Sequence, residues 1–153
     1  MSDVGLNWDN DEGVGDIAVA AGDLVGDDTI RTGILLSLHC DARARPDDEL
    51  PDPNGDPRGF WGDSYPEVEG DVWGSRLWLF KTRENTEQTR GQFKEAALEA
   101  LQWMIDDRVA SSIDFVVLTP APGDYAAGRF PYRVTVNPPA GDPHLFDFVW
   151  GQS

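Results

Sequence analysis

Cysteine is almost absent from this chain, which has Cys40 alone among 153 residues. One thiol cannot form a disulfide within the chain, and it cannot supply a multi-cysteine zinc site. Long apolar runs are also missing, and the first ten residues, MSDVGLNWDN, lack the basic start and apolar run of a signal peptide. We therefore expect a soluble protein that is made in the cytoplasm and has no membrane partner.

Basic residues are scarce, since 12 lysines and arginines face 28 acids and leave a formal net charge of -16. Proteins that bind nucleic-acid phosphates need clustered basic side chains, and this sequence has no such cluster. The composition therefore excludes nucleic acid and anionic membranes as expected partners. The acidity favours a basic protein partner, solubility or a salty native environment, and the sequence leaves these explanations open.

Aromatic residues, in contrast, are plentiful: six Trp, seven Phe and three Tyr accompany a hydrophobic content of 40%. An acidic disordered chain is depleted in such residues. A length of 153 residues suits one domain with a sizeable core. We therefore predict a single folded domain over residues 1–153.

An apolar helix is predicted early in the chain, from a cap at residues 27–29 to about Cys40. Its middle, ILLSL at residues 34–38, is apolar nearly all round, which indicates burial on most sides. A short helix, RLWLF at residues 76–80, is predicted behind a cap at Ser75.

A long amphipathic helix is predicted over residues 86–107, with a cap at Asn85 and Gln88 three residues later. Its apolar face comprises Phe93, Ala97, Ala100, Leu101 and Met104. The opposite face, expected in water, carries Glu95, Glu99, Gln102 and Asp106.

Strands are predicted at both ends of the chain. Residues 17–20 and 23–25 flank a turn at residues 21–22 and favour a hairpin. The C-terminal strands are predicted at residues 111–119, 130–136 and 144–150. Short N-terminal strands, then helices, then a three-stranded antiparallel sheet predict an α+β fold.

The connection at residues 41–74 is long for a compact domain. It is rich in acids, Pro and Gly, yet it also contains Phe60, Trp61, Tyr65 and Trp73. Because disordered segments are depleted in aromatic residues, we predict an ordered loop that packs on something.

The sequence predicts no catalytic, metal or cofactor site. His39 and Cys40 are adjacent on a helix and diverge by about 100°, so they form a poor nucleophile and base pair. His144 opens a strand and has no evident partner in the sequence. Residues 52–56 resemble a calcium loop, but the first and twelfth ligand positions would be Leu50 and Trp61 rather than acids.

An interaction surface is the remaining candidate. Asp41, Arg43, Arg45 and Arg58 bracket the long loop, and arginine–carboxylate pairs between them would pin its two ends. The alternative is solvated surface charge that contributes little. Phe60 and Trp61 are candidates for contact with a partner protein. Burial in the protein's own core explains them about equally well.

Five consecutive motifs carry a resemblance to a known family: ILLSL, DARARPDDELPD, GDPRGFWGD, GSRLWLF and EALQWMIDD. In this order the chain, from Trp8 to Trp150, is similar to the phage Mu-type baseplate wedge proteins. These belong with the lysozyme-like, sheath-initiating wedge proteins of contractile tails. The family has a turn after its apolar helix, and the matching residues of this chain are Asp41 and Arg43. The family also has a Phe-Gly-like element further along, which corresponds to residues 60–62.

The resemblance implies a structural α+β protein of the virion tail baseplate of a phage or prophage, assembled in the host bacterial cytoplasm. Its implied partners are baseplate wedge scaffold proteins, the tail sheath protein and central hub or spike proteins. It also implies a C-terminal sheet edge that accepts sheath strands, for which we select Val134 in FPYRVTV and Phe148 in HLFDFVW. The alternative function is a peptidoglycan-cleaving glycosidase with an acid pair in the loop.

Overall fold

The computed structural model describes residues 3–59 except 5, 13, 18, 21–22, 25 and 28, together with residues 74–119 and 128–151. Within these ranges the chain forms nine β-strands, two α-helices and one 3-10 helix. Short strands come first, the helices follow, and a three-stranded antiparallel sheet ends the chain. This arrangement confirms the predicted α+β class.

The N-terminal strands pair as short antiparallel ribbons. These are β1 (Asp3–Val4) with β6 (Gly26–Asp27), β2 (Leu6–Asp9) with β3 (Val14–Ile17), and β4 (Val19–Ala20) with β5 (Asp23–Leu24). The predicted hairpin around residues 21–22 is present, but Ile17 lies outside it because that residue ends β3. We refer to β2 and β3 as the N-terminal hairpin.

Helix α1 (Thr29–His39) is the predicted apolar helix, and it ends one residue before Cys40. Its buried apolar side chains are Ile34, Leu35 and Leu38. Gly33 lets α1 approach the second helix closely, since a Cβ at this position would lie 3.2 Å from the Cε of Met104. The helix is therefore a core element, as its apolar sequence predicts.

The 3-10 helix (Leu77–Phe80) is buried along its whole length. The prediction that Ser75 caps it is wrong, because Arg76 occupies the N-cap position and makes no side-chain cap bond. The Ser75 hydroxyl accepts the amide of Leu77 at 3.4 Å and donates to the carbonyl oxygen of Leu38 at 2.6 Å, which ties this segment to α1.

Helix α2 (Glu87–Asp106) is the predicted amphipathic helix, but its cap is Thr86 rather than Asn85. The Thr86 hydroxyl accepts the amide of Thr89 at 3.2 Å. Asn85 is buried, and its amide group donates to the carbonyl oxygen of Arg129 at 3.2 Å, so it joins the start of α2 to the sheet. The buried side chains of α2 are Phe93, Ala96, Ala97, Leu101 and Met104; the predicted Ala100 is partly exposed.

The C-terminal sheet consists of β7 (Ser112–Val117), β8 (Phe130–Asn137) and β9 (His144–Trp150) in that spatial order. Both neighbours of β8 are antiparallel to it. The expectation that FPYRVTV offers a free edge is therefore wrong, since the strand is paired on both sides. Val134 is fully buried in this middle strand, and Phe148 in β9 is also buried. An interface role for these two side chains cannot come from exposure at an edge.

The core is an aromatic cluster between α2 and the inner face of the sheet. Phe93 of α2 stacks on Phe130 with ring centroids 4.7 Å apart, and it meets Trp150 edge-on at 5.6 Å. Phe115 of β7 stacks on Tyr132 of β8 at 5.0 Å. Alternate residues of β8 are buried, as expected for a sheet covered on one face.

Candidate docking surface and sheet edges

Both arms of the long connection lie against the residues that follow α1. Ala44 donates its amide to the carbonyl oxygen of Pro57 at 2.8 Å. Ala42 donates to the carbonyl oxygen of Ser75 at 2.9 Å, and Ser75 donates back to that of Cys40 at 2.9 Å. We call residues 40–44, 57–59 and 74–75 the loop neck. These hydrogen bonds fix the two ends of the connection side by side.

Two glycines permit this close approach. Gly59 and Gly74 have φ angles of 110° and 90°, in the region that side chains rarely adopt. A Cβ on Gly59 would lie 2.8 Å from the Cβ of Arg43, and one on Gly74 would lie 2.5 Å from the carbonyl oxygen of Cys40. Any other residue at either position would push the neck apart.

Arg58 closes the neck with its side chain. Its guanidinium pairs with Asp41, as the sequence predicts for the loop ends, and lies 4.6 Å from the ring centroid of Trp78. The left-handed backbone of Arg58, with φ of 59°, costs about 1–3 kcal/mol. Its amide donates to the Asp56 carboxylate at 2.9 Å, and this bond and the cation–π contact offset the strain.

Arg43 is the neck arginine whose charge is not neutralised within the described ranges. Its side chain is exposed, and its guanidinium makes a long hydrogen bond of 3.4 Å to the carbonyl oxygen of Arg58. Arg45 and Arg58, in contrast, each contact a carboxylate, from Glu99 and Asp41 respectively. Arg43 thus presents a guanidinium to solvent at a rigid position.

Arg76 joins the loop to α2. Its guanidinium contacts Asp48 at 2.7 Å and Glu99 at 2.7 Å, and Glu99 also contacts Arg45. Burial opposes the charge on Arg76, but the bonds to Glu99 and Asp48 outweigh this effect and raise its pKa. The sequence prediction placed Glu99 in water and missed Arg76 and Asp48, because partners so distant in sequence leave no local pattern.

Of the two acids in this network, Asp48 is unsuited to act as the general acid of a glycosidase. Burial of Asp48 favours its neutral form, but the backbone amide of Arg45 and the Arg76 guanidinium outweigh burial and lower its pKa. The general acid of a glycosidase needs a raised pKa. Asp48 therefore lacks the environment that the general acid of a glycosidase requires.

We expect Arg76→Gln to destabilise the fold by about 1–3 kcal/mol, since it leaves two carboxylates without their shared partner. The side chain of Arg76 is 19% exposed, whereas that of Arg45 is 58% exposed. Arg45→Gln is the matched control and should cost about 0–1 kcal/mol. Urea unfolding measures both variants. Equal losses would show that burial of Arg76 does not strengthen the network.

A groove of about 910 Å³ runs between the loop and α2. Its apolar lining includes Ala42, Ala44, Leu50, Ala96, Ala100 and Trp103. The indole nitrogen of Trp103 donates to the Ser37 hydroxyl at 2.8 Å, which orients the ring. Three arginines (Arg43, Arg45 and Arg76) and three acids (Asp48, Glu99 and Asp106) also line the groove, so apolar surface lies beside charges of both signs.

His39 is partly buried and lies between two aromatic side chains. Its Nε2 lies 3.0 Å from the Tyr132 hydroxyl, and its ring centroid lies 3.7 Å from that of Trp8. Burial lowers the pKa of His39 to about 3. Cys40, the next residue in the chain, is also partly buried. His144 stacks beside Phe146, with ring centroids 6.4 Å apart.

The described part of the chain offers no group of three or more His, Cys, Asp or Glu side chains that could hold a metal ion. In the same ranges, no helix combines the length and apolar character needed to span a membrane. Phe60 and Trp61 lie outside the described residues, so their predicted interface role stays a prediction. The interface role of Asp41, Arg43, Arg45 and Arg58 likewise stays a prediction, although the structure describes their positions.

A family model described as phage protein GP46 matches residues 30–142, which is most of the chain. The protein belongs to the GP46 family. Among GP46 proteins it is similar to "Baseplate protein gp46" of Escherichia phage Mu, with 41% identity over 104 residues, or 68% of each chain. It is also similar to "Mu-like prophage FluMu protein gp46" of Haemophilus influenzae, with 33% identity over 120 residues, or 78% of each chain. These GP46 relatives confirm the resemblance to Mu-type baseplate proteins.

Proposed function

We propose that this protein is a structural component of a contractile phage tail baseplate. The observation that carries the proposal is its 41% identity to a protein named as a baseplate protein of phage Mu. Its place is then the tail baseplate of a virion, from a phage or a prophage. Within the baseplate its role is that of a wedge protein, which docks to the wedge scaffold and templates the first ring of the tail sheath.

The loop neck is the surface that docks to the wedge scaffold. Its hydrogen bonds and glycines make it rigid, so little conformational entropy is lost on binding. Arg43 supplies an exposed guanidinium beside the apolar groove, and arginine is among the most frequent interface anchors. Asp41 and Arg58 hold the neck in shape, and Arg45 holds the adjoining loop against Glu99 of α2. Phe60 and Trp61 are further anchors of the same interface.

Arg43→Glu should weaken binding to the wedge scaffold while leaving the thermal midpoint nearly unchanged. A lost anchor costs about 2 kcal/mol or more, which corresponds to roughly a 30-fold loss of affinity. Lys94→Glu, an equal charge change on the exposed face of α2, is the control and should bind normally. Affinity is measured by pull-down or calorimetry with the scaffold proteins encoded beside this one. Equal losses in the two variants would mean that general charge, not the neck, governs binding.

Sheath templating would occur by strand addition to the C-terminal sheet. Main-chain hydrogen bonds from an added strand give affinity, and its alternate side chains set the register. The net charge of -16 keeps the protein soluble before assembly despite an open sheet edge, and it favours basic segments as partners. Contacts with central hub or spike proteins would follow from a position close to the tail axis.

A further inference from the structure

The hydrogen-bond register decides which peptide groups the two outer strands turn outward. Leu118 donates its amide to Pro131 at 2.8 Å, so Pro131 and alternate residues of β8 face β7. Because backbone groups alternate sides along a strand, the intervening residues of β8 face β9. The outward peptide groups are those of Ile113, Phe115 and Val117 on β7, and of Leu145, Asp147 and Val149 on β9.

The N-terminal hairpin already occupies one end of the β9 edge. The amide of Val149 donates to the side-chain oxygen of Asn10 at 2.9 Å, and its carbonyl oxygen accepts from the Trp8 indole at 3.3 Å. Trp8 is itself held against His39, and Arg31 of α1 donates to the carbonyl oxygen of Leu6 at 2.7 Å. An incoming strand would have to displace this hairpin before it could pair along the whole of β9.

Charge further protects the β9 edge. Asp147 has an outward peptide group, and its carboxylate makes two bonds to Arg133 of β8, at 2.7 and 3.0 Å. Charged side chains and covering segments are two devices by which proteins keep sheet edges from pairing. The β9 edge has both.

In the part of the chain that the structure describes, no segment covers the β7 edge. Among the described residues, none forms a hydrogen bond with the outward peptide groups of Ile113, Phe115 or Val117. The strand contains no proline or lysine, and Asp114 is its single charged residue. Ile113 and Val117 are only partly buried, and Val116 on the outer face is 51% exposed. An added strand would bury apolar surface as well as pair three outward residues.

We propose that β7 is the edge that accepts a partner strand, while the N-terminal hairpin keeps β9 closed. This inference rests on the proposed templating function and names the site at which it occurs. The partner is an extended segment of another protein, with apolar side chains on one face to cover Ile113 and Val117. A basic side chain on its other face would meet Asp114. A second copy of this chain is disfavoured as the partner, because two chains of net charge -16 repel each other.

Proline substitutions at matched positions test the edges separately. Ile113 and Leu145 are each the second residue of an outer strand, and each turns its amide outward. Ile113→Pro and Leu145→Pro therefore remove an outward donor without deleting a bond to β8. Val134→Pro and Phe148→Pro are unsuitable, since those amides face the neighbouring strand and their loss disrupts the sheet itself. Sheath polymerisation is scored on baseplates assembled with each full-length variant, after thermal melts establish that it folds.

We expect Ile113→Pro to prevent sheath formation and Leu145→Pro to permit it. If Leu145→Pro alone prevented sheath formation, or if both folded variants prevented it, the assignment to β7 would be overturned. Templating by the sheet would still be supported in either case. Normal sheaths with both variants would overturn the templating function itself.

Cross-linking gives a second measurement that does not depend on tolerance of proline. Val116→Cys and Leu145→Cys place thiols on the outer face at opposite edges, at residues that are 51% and 56% exposed. Both are made in a Cys40→Ser background and joined to the sheath protein by a short thiol cross-linker in assembled tails. A sheath cross-link from Val116→Cys alone supports the proposal, and one from Leu145→Cys alone overturns it. A cross-link from Val116→Cys to a different baseplate protein would support β7 as the edge that accepts a partner, but it would overturn the templating of the sheath.

Discussion

Phe93→Ala should destabilise the fold by about 3–5 kcal/mol, the largest loss that we expect from a single side chain. Phe93 is fully buried, and its ring meets aromatic side chains from the 3-10 helix and all three strands of the sheet. Truncation would leave a cavity at the point where α2 and the sheet are joined. For a chain of this length the thermal midpoint should fall by roughly 6–20 °C.

Ile105→Ala is the control for Phe93→Ala, because it removes an apolar side chain from the same helix. Ile105 is 36% exposed, so its truncation should cost about 1 kcal/mol or less. Urea unfolding of the two variants compares burial directly. A similar small loss in both would mean that the aromatic cluster repacks around the missing ring.

The second large effect is acid destabilisation through His39. Its pKa is about 3 in the fold against an ordinary value of 6.5, because burial disfavours the charged imidazole. Below about pH 6.5 the unfolded chain gains a proton that the fold does not accept until about pH 3. The stability that neutral His39 contributes is therefore fully present above pH 6.5, and it declines as the pH falls from 6.5 to about 3. The loss amounts to roughly 3–5 kcal/mol at its lower end.

His39→Gln tests this effect, since glutamine does not titrate and still offers a polar group to the Tyr132 hydroxyl. We expect the free energy of unfolding of this variant to fall much less than that of the wild type between pH 6.5 and 3. Parallel curves for wild type and His39→Gln would show that other groups cause the acid sensitivity.

Periodicity predicted most of the fold because most elements have one buried face. The apolar side chains of α2 recur at helical spacing, and those of β8 alternate, so both elements were identified with nearly correct bounds. The cap of α2 was misassigned because Asn85 and Thr86 are both good cap residues. A contact with Arg129, distant in sequence, takes the side chain of Asn85 away from the helix end.

The candidate site was less predictable, because it depends on which segments become neighbours. The pair of Arg58 with Asp41 followed from charges at the two ends of one loop. The pairing of Arg76 with Asp48 and Glu99 needs α2 to lie beside the loop, and no local pattern encodes this. The edge strand was misjudged for a related reason. The three strands pair in the order in which they occur in the chain, so the middle strand in sequence is also the middle strand in space.

The loop neck has an evolutionary consequence. Gly59 and Gly74 are held on either side of residues 40–44, so the separation of the two ends does not depend on residues 60–73. Doubling the length of a closed segment costs only about 0.6 kcal/mol in chain entropy. Added length between these glycines should therefore cost the fold little chain entropy, provided that the interface anchors Phe60 and Trp61 are kept. Related phages could then differ in the length of this segment while the loop neck retains the positions of its two ends.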